Sequence, residues 1–569
     1  MRDIEDASLP PRSEGHTVSG ALRVIPLGGL GEIGLNMMAV EYGDSIIVID
    51  CGLMFPEDHM LGIDIVIPDI SYLKKNREKV KAFFITHGHE DHTGALPFVL
   101  REINAPIYAT ALTIGLIEEK LEEFDLVRST TFETVRPRER ISVGPFEVEF
   151  IRVCHSIVDG CALAIKTPAG VIIHTGDFKM DQTPVDGEVM DYARFSEYGE
   201  AGVLALLSDS TNVEKEGYTL SERVIGANLE DIFGKCKGRI IVAAFSSNIH
   251  RVQQVFDAAQ RCGRRVILNG KSMLANARIA RTLGYLRIPD GLMADIKDLD
   301  GIGKDQVVLL TTGSQGEPMS ALTRMSMNNH KQLKVEKGDT VILSSKFIPG
   351  HEKAISTMMN HLYRRGADVI YEKVSEVHVS GHASQEELKI MINLVKPRFF
   401  IPVHGEYRHL VLHSRLAASV GIPEDNILVV EDGDVVEFTS KGMSKAGKVD
   451  FGRVFVDGKG VGDVGEVVLK DRMHLSQDGM VLAITVINKD TGELVYGPDI
   501  VTRGLIFEDT SAELLENARK AVLDALSGVN AEAKGEQLEV EEEIRRALRR
   551  FFNKRLERRP VILPVIIEI

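Results

Sequence analysis

Ala82-Phe83-Phe84-Ile85-Thr86-His87-Gly88-His89-Glu90-Asp91-His92 decides how this chain is read. The apolar run 82–86 predicts a buried strand, and three imidazoles and the Asp91 carboxylate crowd into the six residues after it. Imidazole and carboxylate are the ligands that Zn²⁺ and similar ions select. The residues stand too close together to serve one tetrahedral ion, which implies two adjacent ions. A polar loop that happens to be His-rich would not account for the ends of the later apolar runs. His155 ends the run Phe150–Cys154, Asp177 ends Val171–Gly176, Asp209 ends Val203–Ser208 and His404 ends Phe399–Val403. One polar residue at a strand end is commonly a loop group. Four of them after one HxHxDH form a constellation.

At 569 residues the chain is long enough for several domains, and 44% apolar with 26% charged residues is ordinary globular composition. No apolar run reaches the roughly 18–20 residues of a membrane span, so no membrane partner is expected. Residues 1–20 carry charges and prolines but no hydrophobic h-region, and read as a disordered tail. The five cysteines (51, 154, 161, 236 and 262) are odd in number and lack CxxC spacing, which fits a reduced, cytoplasmic setting. The net charge, 67 − 83 = −16, argues mildly against a nucleic-acid binder. A local basic groove or a metal centre can override that global sign.

Short strands are expected at 22–27, 37–42, 45–50, 82–86, 146–153, 161–167 and 170–174, with helical periodicity near 95–103 and 111–124. From about 219 the pattern alternates helices with short apolar strands (239–245, 265–268, 307–310, 340–343), as in a parallel α/β module. Residues 374–440 return to strand, helix and strand. The last 118 or so residues read as a separate α+β unit, with strands at 480–487 and 561–569 and helices at 510–527 and 539–557. Its amphipathic helices and apolar end suggest packing or oligomerisation.

Gly29-Leu-Gly31-Glu-Ile-Gly34 matches GxGxxG after a strand, with Asp50 at a suitable distance. A dinucleotide site needs a helix to begin at those glycines. Here Asn36 to Asp50 contains a Gly43-Asp44 turn between β-branched runs, so a hairpin is expected. The glycines then form a tight loop near the active site, with Asp50 an indirect support.

HGHEDH, His155, the Asp177 of Thr175-Gly-Asp-Phe-Lys179 and Gly28-Gly-Leu-Gly-Glu-Ile-Gly-Leu-Asn36 resemble the metallo-β-lactamase fold superfamily. The resemblance implies an α/β architecture, an αββα sandwich with two metals at its edge. It also implies a division of ligands: His87, His89 and His155 hold one ion, Asp91, His92 and His404 the other, and Asp177 bridges them. Ser208-Asp-Ser-Thr211, His378-Val-Ser-Gly-His-Ala-Ser384 and Pro402-Val-His-Gly-Glu406 further resemble the motifs of the β-CASP nucleases. With Phe245-Ser-Ser-Asn-Ile-His-Arg251 and the C-terminal unit, the chain from about residue 21 resembles the ribonuclease J family. The expected layout is residues 21–218 and 374–450 as the sandwich, 219–373 as an inserted β-CASP α/β domain, and 451–569 as a linker and small α+β domain.

The resemblance implies a 5′→3′ exoribonuclease and endoribonuclease acting on single-stranded RNA in RNA maturation and mRNA decay. Two divalent ions, Zn²⁺ or alternatively Mn²⁺, would activate a hydroxide for in-line attack, held by Asp91 and Asp177. His382, oriented by Asp209, is the candidate proton donor to the leaving oxygen. A pocket for an RNA 5′-monophosphate is implied at Ser246, Ser247, His378 and Ser380, with Gly381 and Ser384 of the same motif. N-capping is the alternative reading for Ser246 and Ser247. Lys271, Arg264 and Arg265 could line a backbone channel, and His174 could hydrogen-bond a ligand. A homodimer or homotetramer and an RNA-degradation complex are the implied assemblies. Two other readings use the same metals differently: a hydrolase of small lactams, thioesters or phosphodiesters, and a non-catalytic RNA-binding scaffold.

Overall fold

The computed structural model describes residues 21–57, 59–317, 319–347, 351–458, 460–489, 493–506, 512–527 and 537–569; the expected disordered tail, 1–20, lies outside them. The chain divides into two units. One comprises the residues up to Phe55 with Val66–Val454, the other Pro56–Ile65 with Phe455–Ile569.

In the first unit, alternation builds a sandwich. Leu22–Gly28 pairs antiparallel with Met37–Tyr42, which turns at Gly43 (φ 59°) to pair with Ser45–Ile49. That hairpin occupies the place where a nucleotide-binding helix would have to start. The parallel strands Val80–Phe84, Ile107–Ala109 and Phe132–Thr134 continue the sheet on one side, and Asp434–Thr439 and Gly442–Lys448 close the other. A second sheet runs Pro397–Val403, Val203–Asp209, Gly170–His174, Cys161–Thr167, Phe146–Arg152, Arg140–Val143. Every second residue of each sheet points into one shared core: Val24, Val40, Ile47 and Phe84 meet Val148, Phe150, Leu163, Leu207 and Ile401. The far face of the second sheet packs Ile151, Ala164, Ile173 and Phe400 against Phe195, Leu388, Met391 and Ala417 of helices Tyr192–Ala201, Gln385–Val395 and Tyr407–Ser419. Helix Ala111–Glu122 packs on the strands at the edge of the first sheet.

The segment after Asp209 forms a five-stranded, all-parallel sheet in the order Arg265–Asn269, Val307–Thr311, Ile240–Ala243, Thr340–Leu343, Asp368–Ile370. Its strands read as unbroken apolar runs because both faces are covered. Helices Glu222–Lys235, Ile249–Arg261 and Lys271–Thr282 bury one face, and Ala321–Ser326 and Glu352–Arg364 the other. This module interrupts a crossover between two neighbours of the second sheet, Val203–Asp209 and Pro397–Val403, which lie parallel. Its two connecting chains are tied together. The Thr219 hydroxyl donates to the His382 carbonyl (2.9 Å), its N–H to Glu387 (2.7 Å), and the Gln385 N–H to the Lys215 carbonyl (3.0 Å).

In the second unit, Leu494–Arg503, Met480–Ile487 and Val561–Glu568 form a three-stranded sheet with Met480–Ile487 in the middle. Val481, Ala483 and Ile562 on one face pack against Ala518, Val522, Ile544, Leu548 and Phe552 of helices Ala512–Ser527 and Gln537–Leu556. The strand Leu494–Arg503 is not foreseen from sequence, because Gly497 and Pro498 interrupt its apolar run. Residues 56–65 also belong here: the Asp64 N–H donates to Val456 and Arg472 donates to the Leu61 carbonyl (both 2.9 Å). No helix among the described residues is long and apolar enough to cross a membrane.

Candidate metal centre and catalytic dyad

Strand Val80–Phe84 ends inside the sandwich edge, and His87, His89 and the short helix Glu90–Thr93 follow at once. The Gly52 backbone packs flat on this loop; a Cβ there would stand 1.6 Å from the Asp91 carbonyl oxygen. His155, Asp177 and His404 arrive from strand ends of the second sheet. Ligand atoms of His87, His89, His155 and Asp177 lie within 4.8 Å of one another, and so do those of Asp91, His92, Asp177 and His404. Asp177 is common to both groups. Its carboxylate stands 3.7 Å from His87 Nε2, 3.8 Å from His155 Nε2, 3.3 Å from His92 Nε2 and 3.5 Å from His404 Nε2.

The proton pattern shows that these groups fit cations. The Thr86 hydroxyl donates to Asp50, so it accepts from His87 Nδ1 (3.0 Å), which leaves the lone pair on His87 Nε2. His155 Nδ1 donates to the Gly381 carbonyl (2.8 Å), which leaves the lone pair on its Nε2. Both nitrogens face His89 Nδ1, at 3.0 and 3.1 Å. At most one proton can serve this triple contact, whereas one metal ion would satisfy all three lone pairs. Burial pushes His89 down to about 4 and holds His87 and His155 well below the usual imidazole range, so all three are neutral donors. His92 donates Nδ1–H to Asp50 (2.8 Å) and His404 donates Nδ1–H to Asn36 Oδ1 (2.8 Å). Burial opposes charge on Asp177, but the facing His404 and His92 outweigh it and hold the carboxyl well below its ordinary range. A dication would meet that same negative charge.

His382 Nδ1 lies 2.8 Å from Asp209 Oδ2, and the other Asp209 oxygen accepts from the Thr211 N–H (2.9 Å) and hydroxyl (2.7 Å). Burial lowers His382, but the charge and hydrogen bond of Asp209, with Asp177, outweigh it and raise the imidazole. Its ring centroid lies 4.9 Å from that of His155 and 5.7 Å from that of His404.

The remaining candidates separate. Ser246 and Ser247 occupy the loop after Ile240–Ala243, where Asn248, not a serine, caps helix Ile249–Arg261. The Ser246 hydroxyl accepts from Asn276 (3.2 Å). His378 Nδ1 is buried without a hydrogen-bond partner among the described residues. Burial pushes that imidazole down to about 3. The Ser380 hydroxyl accepts from the His382 N–H (3.2 Å). Gly381 acts on His155: besides its carbonyl bond, a Cβ would stand 2.7 Å from His155 Cε1. Ser384 needs correction as a substrate-binding residue. Fully buried at the start of helix Gln385–Val395, it spends its hydroxyl on Asn212 (3.2 Å) and Thr219 (2.9 Å). Arg264 is likewise no channel residue; it is buried and donates to the Gly238 carbonyl (2.8 Å). Lys271 pairs with Glu123 (2.8 Å), and His174 accepts from the Gly176 N–H (3.1 Å) beside Asp177.

Of the residues that hold the others, the sequence marks only Asp50, as an indirect support, and leaves Asn36 and Arg251 unmarked in that role. Asp50 takes both Thr86 and His92, and Asn36 takes His404. Fully buried Arg251 pairs with Glu222 (2.7 Å) and donates to the Val377 carbonyl (2.7 Å), which ties the helix after the serines to the segment of His378 and His382. Polar residues at element ends were the available signal; their partners are far away in the chain.

A two-sheet sandwich edged by seven convergent His and Asp donors defines a metallo-β-lactamase-fold hydrolase. Residues 30–200 match the metallo-beta-lactamase superfamily and 366–427 the Zn-dependent metallo-hydrolase RNA specificity domain. Residues 237–362 match the ribonuclease J beta-CASP domain and 467–569 the ribonuclease J C-terminal domain. The chain is 42% identical to Ribonuclease J2 of Bacillus subtilis (strain 168), over 96% of this chain and 99% of that one. It is 44% identical to Ribonuclease J of Thermus thermophilus, over 96% and 95%. A solved protein of unknown function from Enterococcus faecalis V583 shares the fold, with TM-score 0.53 and 18% identity over 73% of this chain and all of that one. The chain belongs to the ribonuclease J family.

Proposed function

We propose that the protein hydrolyses phosphodiester bonds of single-stranded RNA at a pair of divalent ions. In this reading it works both 5′→3′ from monophosphorylated ends and internally. The observation that carries the reading is the His382–Asp209 pair set beside the complete donor cluster. A binding scaffold needs neither, and a hydrolase of small molecules has no use for the inserted module. The His and Asp donor set suits Zn²⁺ best and also accepts Mn²⁺.

When bound, the ions supply charge stabilisation at the phosphoryl oxygens and activation of a water nucleophile. The protein supplies the rest. His87, His89 and His155 at one position, Asp91, His92 and His404 at the other, and Asp177 between them hold and space the pair. Asp91 is the more open of the two carboxylates, its side chain 31% exposed, and with Asp177 it would hold and orient the attacking water by accepting its hydrogen bonds. Asp209 keeps the His382 proton on Nδ1, so a protonated Nε2–H is free to donate to the leaving 3′-oxygen. Ser246, Ser247, His378 and Ser380 receive the 5′-phosphate through hydroxyl and loop N–H groups. A triphosphate would be bulkier there. Residues 21–218 with 374–450, 219–373 and 451–569 are the working domains of this proposal, and homodimers or homotetramers its assembly.

The test is a 5′-monophosphorylated, 5′-labelled RNA incubated with wild type and His382→Ala in Zn²⁺, Mn²⁺ or EDTA. Metal-dependent release of labelled mononucleotide by wild type alone is expected. Intact RNA in every arm, with both ions bound, would move the assignment to a small-molecule hydrolase or a scaffold.

A further inference from the structure

His404 is an unusual ligand. It sits at φ 53°, in the left-handed region that few non-glycine residues adopt, and its ring finds support at Nδ1 from outside its own strand. That support comes from residue 36, which is 368 positions earlier in the chain. Asn36 is 9% exposed, and its own backbone is clamped: its N–H donates to the Asp91 carbonyl (3.1 Å) and its carbonyl accepts from Gly52 (2.9 Å). The side-chain nitrogen lies 3.1 Å from the same Asp91 carbonyl oxygen, which can only accept. That contact fixes which end of the amide is nitrogen. Oδ1 must then face His404, so His404 Nδ1 carries a proton and Nε2 is the ring atom left to face a metal ion. Gly29 leaves room for the amide, since a Cβ at 29 would stand 2.5 Å from Asn36 Oδ1. The nitrogen also lies 3.2 Å from His92 Nε2, so the one amide touches three residues of the same half-site: Asp91, His92 and His404. Among the described residues no Asn36 hydrogen bond reaches His87, His89 or His155.

We propose that Asn36 is a positioning residue: its amide, locked by the Asp91 carbonyl, fixes the tautomer and direction of His404 and so sets the affinity of one of the two metal positions. This rests on the two-ion reading above. It predicts an asymmetry that loss of general stability would not produce, because the two half-sites share Asp177 but not Asn36.

The test titrates Zn²⁺ into EDTA-stripped full-length protein against a chromophoric chelator. Wild type, Asn36→Leu, Asn36→Asp, His404→Ala and the Asn36→Leu/His404→Ala double variant are compared. Asn36→Leu should weaken one of two binding constants by roughly 10- to 100-fold and leave the other within about twofold, by the same separation of sites. Asn36→Asp keeps an acceptor oxygen facing His404 and should retain that constant, although its second oxygen against the Asp91 carbonyl lowers the melting temperature in EDTA. In the His404→Ala background Asn36→Leu should cost clearly less than it does alone, the remainder coming from its contacts with Asp91 and His92. Asn36→Ala serves if the leucine variant does not fold. Equal weakening of both constants, equal loss in the Asp and Leu variants, or additive losses in the double variant would overturn the proposal. A wild type that binds fewer than two ions would fail at the earlier step and take this inference with it.

Discussion

In the proposed mechanism His382 has a duty separable from metal binding: it touches Asp209 through Nδ1 and its ring lies beside those of His155 and His404. His382→Ala is therefore expected to keep both ions and lose about 10²- to 10⁴-fold in the single-turnover cleavage rate. Asp209→Asn should keep the ring in place and lose less. Asp177→Asn should instead release metal, as counted by atomic emission after gel filtration, because it stands against both half-sites. If His382→Ala lost its metals as well, the dyad would be part of the ligand set. The donors were legible in the sequence because each follows an apolar strand, and strand ends of a sandwich converge on one edge. Asp50 was legible only as an indirect support. Asn36 was not legible as the holder of His404, because that role is set by a partner 368 residues away.

Elements place these residues through close backbone approaches as much as through side chains. Gly381→Ala would put a Cβ 2.7 Å from His155 Cε1 in a loop whose carbonyl already accepts from that ring. A displacement of that ligand should cost about 10²-fold in cleavage against an overpacking cost of about 1–3 kcal/mol, read together by kinetics and urea unfolding. Arg251→Ala removes the hydrogen-bonded cation of buried Glu222 and leaves it only Lys179 at 4.0 Å, and a loss of about 3–5 kcal/mol is expected. The pair Arg251→Met with Glu222→Leu should recover part of it; no recovery would mean that the bonds to Val377 and Ser344 dominate. At this scale the periodicities served well. The hairpin after the GxGxxG segment and the apolar runs of the parallel module are both visible as patterns of side chains. Two features were not. Residues 56–65 join the second unit through long-range backbone bonds, and Ser384 sits in a motif whose sequence does not say which of its hydroxyls face inward.

Across the whole first unit, buried neutral imidazoles make stability depend on pH. His413 is fully buried with Nδ1 3.0 Å from the Ser210 hydroxyl, and burial pushes it down to about 3 against a weaker upward pull from Asp209. Below the unfolded value of about 6.5 the unfolded chain binds a proton that the native state refuses. Stability therefore falls with acidification by about 1.4 kcal/mol per pH unit for this group, and the contribution is intact above that value. Thermal melts in EDTA between pH 7 and 5 should show a shallower acid slope for His413→Gln than for wild type; identical slopes would remove His413 from the account. The same unit carries a consequence of its topology. The five-stranded module leaves and rejoins its host through one stem, where Thr219 is bonded to His382 and Glu387 and Gln385 to Lys215. The host crossover is therefore complete on either side of that stem. The stem is not the only tie, because the module's core also takes in Leu112, Ile157 and Val158 of the sandwich, so excising the module would uncover apolar surface two residues beyond His155 as well as at the seam where His382 lies.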